Sequence, residues 1–501
     1  MLFSEEIWTE WSSKIEKDFK IKGYTHFDYQ FDFPSRKQEI KELVGSPAAL
    51  KKHPFLPLVK MQIKTPRFRY QEELKGPSLE TKKRPISFAS HFDTYLYSFY
   101  SFCLTKKYQE YIRAHHFDQA VLAYRSDLDG KCNIQFAQEA FEYIKTKGDC
   151  TAITLDIKGY FDSIDHTLLK EKWCKVLNVA ELPPDQYKVF QTLTKYTYVN
   201  RNTLLKHFSI KIKKLSSKMP NFLAHIPGTD FLDKFKILRA HNLLVRNETH
   251  ELQPGEFKRY FGIPQGSAIS ALLSNIYLID CDKEMQEKAA SEGFLYKRYC
   301  DDILIVCETK RAYELQEFAI KKIKQYNLVI QHRKTELIEF CKNSKGQMRG
   351  FNLKKIADEL PSQINSSNEQ HFYKSVQYLG FEFNGKDILI RSSSLSRYFR
   401  KMKKRISKTV SMAYSENSRG DKIFKQQLFH RYTHLGKRNF LHYAYNSSKE
   451  YYSNSKGIKR KGMNSPAIKK QLSRHFDILL NSLQLKNEAR AKRKNKKLLT
   501  A

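Results

Sequence analysis

The sequence of 501 residues contains no long apolar run and no recognisable export signal. Its N-terminus carries Glu5 and Glu6 where a signal would have an apolar core. A membrane span needs about 18 or more consecutive apolar residues, and no stretch approaches that length. We therefore expect no membrane partner and a cytoplasmic location. The sequence also lacks internal repeats and low-complexity blocks, and its length allows two or three domains with substantial cores.

Cysteine is sparse and scattered. Eight cysteines occur, and no two of them form a Cys-x-x-Cys pair. This spacing suits neither a zinc ribbon nor a disulfide framework. We expect reduced thiols, as in cytosolic proteins.

Acidic residues are few compared with basic ones. The chain has 53 Asp and Glu against 89 Lys and Arg, and the formal net charge of +36 is spread along its length. Such an excess attracts polyanions. The 34 Phe and 29 Tyr add rings that can stack on bases. The composition therefore favours nucleic acid binding over a surface that is merely soluble.

Two adjacent acids lie in a short break between two strand-like runs. Residues 294–299 and 303–307 are apolar and aromatic, and Asp301 and Asp302 stand between them. The pattern predicts a β-hairpin whose tip holds both carboxylates rigidly, as a metal site requires. Taken alone, such a pair more often reflects ordinary turn chemistry with solvated charges.

A third acid ends a strand further upstream. Ile153, Leu155 and Ile157 alternate with polar residues, which places Asp156 at the end of a half-buried strand. Between the two acidic segments, Phe261–Ser267 forms a Gly/Pro turn leading into an apolar-periodic helix.

Three motifs in this order resemble motifs A, B and C of reverse transcriptases. They are Asp-Ile-Lys-Gly-Tyr-Phe-Asp at 156–162, Gly-Ile-Pro-Gln-Gly at 262–266 and Tyr-Cys-Asp-Asp at 299–302. The resemblance implies an α+β right-hand polymerase fold with fingers, a palm with an antiparallel sheet, and a helical thumb. The implied divisions are an N-terminal helical extension (1–60), fingers (61–150), a palm (151–390) with a helical insertion at about 178–255, and a helical thumb with a basic C-terminal tail (391–501).

Looser similarity at 89–100 and 123–125 points to one subset of that family. These are the stand-alone bacterial enzymes of the unknown-group and abortive-infection type, which are associated with phage defence. Membership implies dNTP substrates, a structured non-coding RNA template and a DNA product, and it leaves room for a homo-oligomer. Two other interpretations stay open. One is a terminal transferase that works without a template or extends a protein hydroxyl, and the other is a non-catalytic RNA-binding scaffold.

The chemistry of strand extension explains the acids. A 3′-hydroxyl attacks the α-phosphate, and two Mg²⁺ ions, for which Mn²⁺ is expected to substitute, can stabilise the attacking and leaving oxygens. Hard cations prefer oxygen ligands. We predict Asp156 and Asp301 as bridging carboxylates, with Asp302 supporting the site. The carbonyl of Ile157 is a candidate additional ligand.

Other residues are expected to contact the incoming nucleotide. The resemblance places Arg84 of a basic fingers hairpin on the triphosphate and Phe161 under the sugar, where its ring excludes a 2′-hydroxyl. It places Gln265 and Gly266 in the templating pocket, where glycine permits close backbone approach. Lys334 is either a proton donor to pyrophosphate or a surface lysine in a turn.

A basic amphipathic helix is predicted over 395–413. Its charged side is expected to lie along the backbone of a nucleic acid duplex, the alternative being a solvated face. The predicted contacts are Arg397, Arg400, Lys401, Lys404, Arg405 and Lys408.

Four local expectations complete the prediction. The helix over residues 4–20 packs on the chain's own core or covers a partner. Asp162 and Asp165 cap or orient the helix after motif A. A strand runs through 328–330. The basic stretch 490–497 is mobile without RNA.

Overall fold

The computed structural model describes residues 3–71, 76–210, 221–247, 261–357, 368–415, 422–454 and 457–499. Three helices precede the first strand: α1 (Glu5–Lys17), α2 (Phe33–Gly45) and α3 (Pro47–Lys52). Helix α1 begins after Ser4, whose hydroxyl accepts a hydrogen bond from the Ile7 amide. Trp8 and Trp11 are buried against Phe99, so this helix packs on the chain's own core, the first of the two alternatives predicted for it.

The fingers are built on a long antiparallel hairpin. Its strands are β1 (Leu58–Gln71) and β2 (Gly76–Phe88), and Ile63 pairs with Arg84 in their register. Helix α4 (His91–Ala114) follows. It is capped by the Ser90 hydroxyl, which accepts a hydrogen bond from the Asp93 amide. Most of one side of α4 is buried in the largest hydrophobic cluster, together with α1 and the motif B helix.

The segment between motifs A and B is not helical throughout. After α5 (Asn133–Lys147) and β3 (Cys150–Asp156), the chain forms α6 (His166–Leu177), α7 (Pro184–Thr194), β4 (Thr197–Asn200), α8 (Arg201–His207), α9 (Phe231–Ala240) and β5 (Leu244–Arg246). Strand β4 pairs in parallel with β1 and antiparallel with β5, which gives a four-stranded fingers sheet in the order β2-β1-β4-β5. Within 178–255, of which 211–220 and 248–255 lie outside the described residues, the predicted helices are accompanied by two short strands, so the insertion is not purely helical. Strands of three or four residues are too short to show a period of two.

The palm is a five-stranded antiparallel sheet in the order β6-β7-β3-β8-β9. Its remaining elements are α10 (Ser270–Tyr277), α11 (Ile279–Glu292), β6 (Leu295–Tyr299), β7 (Asp302–Cys307), α12 (Ala312–Gln325), β8 (Glu336–Lys342), β9 (Met348–Asn352) and α13 (Leu353–Ala357). The hairpin predicted around Asp301 is confirmed. The strand predicted over 328–330 is reduced to one bridge between Ile330 and Ile157, followed by a short turn of 3₁₀-helix at His332–Lys334.

A small three-stranded sheet joins the palm to a helical thumb. Its strands are β10 (Val376–Tyr378), β11 (Phe381–Phe383) and β12 (Ile388–Ile390). The thumb comprises α14 (Ser392–Ala413), α15 (Gln426–Tyr432), α16 (Phe440–Ser448), β13 (Tyr451–Ser453), β14 (Lys459–Lys461), α17 (Pro466–Leu472) and α18 (His475–Leu499). The apolar stripe of α14 is buried, as predicted. Helix α18 continues to Leu499, so the basic stretch at 490–497 is helical, in keeping with Lys, Arg and Ala as good helix formers; its mobility without RNA stays a prediction.

The whole is the predicted α+β arrangement of fingers hairpin, antiparallel palm and helical thumb. One hydrophobic cluster joins the N-terminal helices, α4 and the palm, and a second joins the palm to the thumb. All eight cysteines are free thiols, as expected. Among the described helices, none combines the length and the apolar character needed to span a membrane.

Candidate active site

Strand pairing brings the three predicted acids together at one end of the palm sheet. Asp156 is the direct partner of Asp302 in the register of β3 and β7. The Ile157 amide donates a hydrogen bond of 3.0 Å to the Asp301 carbonyl oxygen. Between β6 and β7, Cys300 adopts a left-handed conformation with φ 58°, which closes the turn tightly. Residues far apart in the sequence therefore form one acidic site.

The three acids share one cavity, but only two of them also line the cleft beside it. Asp156 and Asp301 line an open cleft of about 530 Å³ between fingers and palm, which we call the active cleft. Asp302 instead lines a neighbouring cavity on the thumb side, which Asp156 and Asp301 also reach. Asp301 belongs to the turn and Asp302 is the first residue of β7, so the two adjacent carboxylates are presented differently. The active cleft is lined by residues 80–85, 156–162, Tyr124, Gln265, Cys300, Asp301, Gln331 and Lys334.

The donor set suits magnesium. In the described part of the chain, no three His, Cys, Asp or Glu side chains form a ready-made metal cluster. Mg²⁺, however, is commonly held by one or two carboxylates, with water and substrate phosphates completing its shell. Asp156 and Asp301, facing one cleft, provide such a pair.

Electrostatics also favour a cation beside these acids. Burial raises the pKa of the Asp302 carboxyl to about 7, and the negative charges of Asp301 and Asp156 add to that effect. Lys334 and Arg391 partly oppose it. Three carboxylates so close together repel one another, and a bound cation relieves that repulsion.

The loop after α12 carries Lys334 to the acids. The Gln331 amide donates to the Asp156 carbonyl oxygen at 2.8 Å, and the Lys158 amide donates to the Val329 carbonyl oxygen at 2.8 Å. These bonds tie the loop to the end of β3. The ammonium group of Lys334 forms an ion pair with the Asp156 carboxylate while remaining 40% exposed. Lys334 is thus part of the cleft wall and is not an isolated surface lysine.

Basic side chains surround the acids from two directions. Arg84 and Lys82 of the fingers hairpin line both the active cleft and the thumb-side cavity. Arg391, Arg397 and Arg400 enter the thumb-side cavity from the opposite side. Phosphate groups placed over the acids would therefore meet cations on both flanks.

The remaining predicted thumb contacts lie further along α14. Lys401, Lys404 and Lys408 are exposed on one side of the helix, opposite its buried apolar stripe. The guanidinium of Arg405 is half-buried and donates to Gln427 Oε1 at 3.1 Å. Arg405 is therefore bound within the thumb, unlike the three lysines.

Phe161 and the motif B loop complete the cleft. Phe161 is half-buried against the core and lines the same cleft as Gln265. The Ile263 amide donates to the Phe161 carbonyl oxygen at 2.9 Å, which lays motif B along motif A. Gly262 has φ +86°, and an added Cβ there would lie 3.0 Å from the Asp162 carbonyl oxygen.

Gly266 serves the fingers more than the cleft. Its φ is +120°, and an added Cβ would lie 2.7 Å from the Ser87 carbonyl oxygen on β2. The Ser87 amide donates to the Gln265 carbonyl oxygen at 2.8 Å. The close approach predicted for this glycine is therefore made to the fingers backbone, and it fixes the base of the hairpin that carries Arg84.

The two acids after Asp156 have different roles. The Asp165 carboxylate caps α6, where it accepts hydrogen bonds from the amides of Thr167 and Leu168 at 2.8 and 3.1 Å. Asp162 does not cap this helix. It lines the active cleft, where burial raises the pKa of its carboxyl.

The sequence prediction missed a buried network beneath the catalytic turn. The Arg298 guanidinium pairs with the Asp282 carboxylate and also donates to the Cys300 carbonyl oxygen at 3.1 Å and to Asn275 Oδ1 at 3.3 Å. The Tyr296 hydroxyl donates to Asp282 at 2.8 Å. The only signal for Arg298 was its alternation with Tyr296, which places both on one face of β6.

Tyr124 was also not predicted as a site residue. It has φ 59°, lines the active cleft and lies near Cys300. The neighbouring Arg125 side chain is buried, and it pairs with Asp127 at 2.7 Å. This ion pair fixes the segment that presents Tyr124.

Comparison with known families agrees with this geometry. Residues 207–383 match the family model described as reverse transcriptase (RNA-dependent DNA polymerase). The match contains motif B and the Asp301–Asp302 turn, and the fold adds Asp156 from outside the matched range. The chain therefore carries a reverse transcriptase domain, the catalytic domain of RNA-directed DNA polymerases, which are nucleotidyltransferases.

Similar solved structures include telomerases. Apo telomerase from Candida tropicalis, truncated from its C-terminal domain, is 13% identical with a TM-score of 0.37, over 72% of this chain and 61% of that chain. Telomerase from Candida albicans in complex with a TWJ fragment of telomeric RNA is 15% identical with a TM-score of 0.34, over 75% and 56%. The chain thus covers less than two thirds of either telomerase, and scores of this size support no conclusion about activity or partners. The comparison with curated protein sequences gave no match.

Proposed function

We propose that this protein is an RNA-directed DNA polymerase that adds dNTPs to a 3′-hydroxyl. The observation that carries the proposal is the placement of Asp156 and Asp301 on the floor of one cleft, between the basic walls of fingers and thumb. This arrangement suits phosphoryl transfer, in which positioning and charge stabilisation provide most of the catalysis.

The acidic pair supports a metal-assisted reaction. Asp156 and Asp301, with Asp302 and the Ile157 carbonyl in support, would hold two Mg²⁺ ions, and Mn²⁺ is expected to substitute. When bound, such ions stabilise the attacking and leaving oxygens of the transferred phosphoryl group.

The chain's own residues have separate tasks in this proposal. Arg84 neutralises the triphosphate from the fingers side. Lys334, held against Asp156, donates a proton to the departing pyrophosphate. Phe161 packs under the sugar and selects dNTPs, and Gln265 contacts the templating base region.

We further propose a structured non-coding RNA as template and a role in antiphage defence in the bacterial cytoplasm. The exposed Lys401, Lys404 and Lys408 on α14 support the RNA partner. The defence role is supported by the resemblance of residues 89–100 and 123–125 to the abortive-infection subset. A homo-oligomer remains part of that proposal.

The test is primer extension with dNTPs and Mg²⁺ on an RNA template, on a DNA template and without a template. Wild type should extend the primer on RNA, and the Asp301→Asn/Asp302→Asn variant should not. Asp129→Asn, an exposed acid outside the cleft, is the matched control and should retain activity. Extension that does not need a template would indicate a terminal transferase. The absence of extension in wild type, with RNA binding intact, would indicate a scaffold.

A further inference from the structure

A second groove lies between the N-terminal helix and the fingers. It has a volume of about 750 Å³ and is formed by α1, the non-helical segment after it, α4 and residues 124–127. We call it the N-terminal groove. The side chains on which the inference depends are Lys14, Phe19, Lys20, Lys22, Tyr95 and Phe102.

The N-terminal groove lies next to the active cleft. Tyr124 lines both spaces. Ala268, three residues after Gln265 of motif B, also lines the groove, while Gln265 lines the cleft. A strand that leaves the cleft past motif B would meet this groove next.

The groove carries cations without matching acids. Its acids include Glu10, which pairs with Lys106, and Asp127, which pairs with Arg125 and Arg113. Asp18 is the remaining acid of the lining. Within the described ranges, no carboxylate lies at ion-pair distance from Lys14, Lys20 or Lys22. The excess positive charge is therefore available to a ligand.

Aromatic rings support these lysines. The Lys14 ammonium lies 5.5 Å from the centre of the Phe102 ring, and the Lys22 ammonium lies 4.9 Å from that of Tyr95. Burial lowers the pKa of the Lys22 ammonium to about 8. A partly desolvated ammonium beside a ring is stabilised when a phosphate replaces its lost hydration.

We propose that the unpaired template strand runs along the N-terminal groove on its way to the active cleft, an inference that rests on the proposed polymerase function. Alternating cations and aromatic rings are the usual means of holding single-stranded nucleic acid without reading its sequence. An acidic protein segment would use the lysines, but it would explain neither the rings beside them nor the position of the groove beside the cleft.

The test compares the binding of two primer–template duplexes. One has a single unpaired template nucleotide, and the other has about eight, a length typical of single-strand grooves. The groove variant is Lys14→Gln/Lys20→Gln/Lys22→Gln. Its matched control is Lys17→Gln/Lys51→Gln/Lys52→Gln, which removes the same charge from exposed lysines outside the groove. Thermal unfolding first shows that each variant is folded.

The expected result is specific to the long overhang. Wild type and control should bind it more tightly than the short one, with a steeper dependence of log affinity on log salt. The groove variant should lose that advantage, and its slope on the long overhang should fall by about two, since each of three phosphate contacts contributes about 0.7. A photoreactive base in the overhang should crosslink to the peptide containing Phe19 in wild type.

Several results would overturn the inference. These are equal overhang dependence in wild type and groove variant, an equal loss in the control, or displacement of the long overhang's crosslink to another surface. Because binding is measured, the inference is separable from catalysis. Primer extension by a wild type whose binding does not depend on overhang length would support the polymerase function and contradict the role of the groove. Binding that depends on overhang length, without any primer extension, would support the role of the groove and contradict the polymerase function.

Discussion

Arg298 and Asp282 form a fully buried two-point ion pair directly beneath the catalytic turn. Arg298 Nε lies 2.7 Å from Asp282 Oδ1, and Arg298 Nη2 lies 2.5 Å from Asp282 Oδ2. Both side chains are 0% exposed. A further nitrogen of the same guanidinium donates to the Cys300 carbonyl oxygen. The pair thus joins helix α11 to the turn that presents Asp301, and Arg298 acts as a positioning residue for the acids.

Replacing Arg298 should therefore reduce activity and stability by separable routes. Arg298→Met leaves the Asp282 charge buried and unpaired, which should cost about 3–5 kcal/mol in the free energy of unfolding. The double variant Arg298→Met/Asp282→Leu should recover much of that stability. It should not recover kcat, because the Cys300 carbonyl still lacks its donor, while KM for dNTP stays near the wild-type value. Recovery of kcat together with stability would show that the pair is merely structural.

Reducing the ring of Phe161 should relax sugar selection. Phe161→Val removes the proposed clash with a 2′-hydroxyl, and overpacking of this kind costs about 1–3 kcal/mol. We expect the ratio of kcat/KM for dCTP to that for CTP to fall by roughly tenfold or more. Phe161→Tyr keeps the ring and is the control. A wild type that already uses both nucleotides equally would contradict the assignment.

The exposed lysines of α14 should contribute salt-dependent affinity for duplex. Lys404→Gln/Lys408→Gln removes two proposed phosphate contacts, so the slope of log affinity against log salt should flatten by about 1.4 to 1.8. Lys321→Gln/Lys324→Gln on α12 removes the same charge from an exposed surface away from the thumb. Titrations of a primer–template with a short overhang at several salt concentrations provide the measurement. Identical slopes for the thumb variant and wild type would mean that this side of α14 is only solvated.

Acid should destabilise the fold through His26. Its side chain is 0% exposed, and burial lowers the imidazole pKa to about 4, with Asp28 opposing and His91 adding to the shift. The unfolded chain binds a proton near pH 6.5, whereas the folded chain resists it down to about pH 4. The unfolded state therefore binds more protons in that window, and stability falls by about 3 kcal/mol as the pH drops from about 6.5 to 4.

Urea unfolding of wild type and His26→Leu across this range checks the assignment. The leucine variant should lose distinctly less stability on acidification. Neither ring nitrogen of His26 has a hydrogen-bond partner in the described structure, and Nδ1 lies 3.7 Å from the Asp28 carboxylate, so an apolar replacement removes only that long contact. The pKa of Asp28 is lowered in the folded state, so its contribution to the free energy of unfolding is lost only when the pH falls below the range in which His26 acts. Parallel pH profiles for the two proteins would exclude His26 as the responsible group.

Local patterns predicted the elements that carry the site. The alternation before Asp156 and around Asp301 fixed both strands, because half-buried strands leave a period of two in the sequence. The stripe of α14 was equally clear. The burial of Arg298 could not be predicted in this way, because an arginine in a strand is normally interpreted as a surface charge until its acidic partner is known. That partner lies 16 residues earlier in the chain, on a helix.

Contacts between distant segments were beyond the sequence. The sequence predicted that another group packs closely against the backbone of Gly266. Only the fold shows that this group is the backbone of Ser87. Strands β4 and β5 join the fingers through pairing with β1, which no local pattern encodes. The N-terminal groove likewise arises where α1 meets α4, and its lysines are unremarkable in the sequence.

The most direct test of the central claim is to sequence the product made on a heteropolymeric RNA template. Wild type, given primer, dNTPs and Mg²⁺, should make DNA that is the reverse complement of the template. Asp156→Asn, which removes one carboxylate from the cleft floor, should make none while binding the same RNA. Product of untemplated sequence, or templated product from Asp156→Asn at the wild-type rate, would contradict the account.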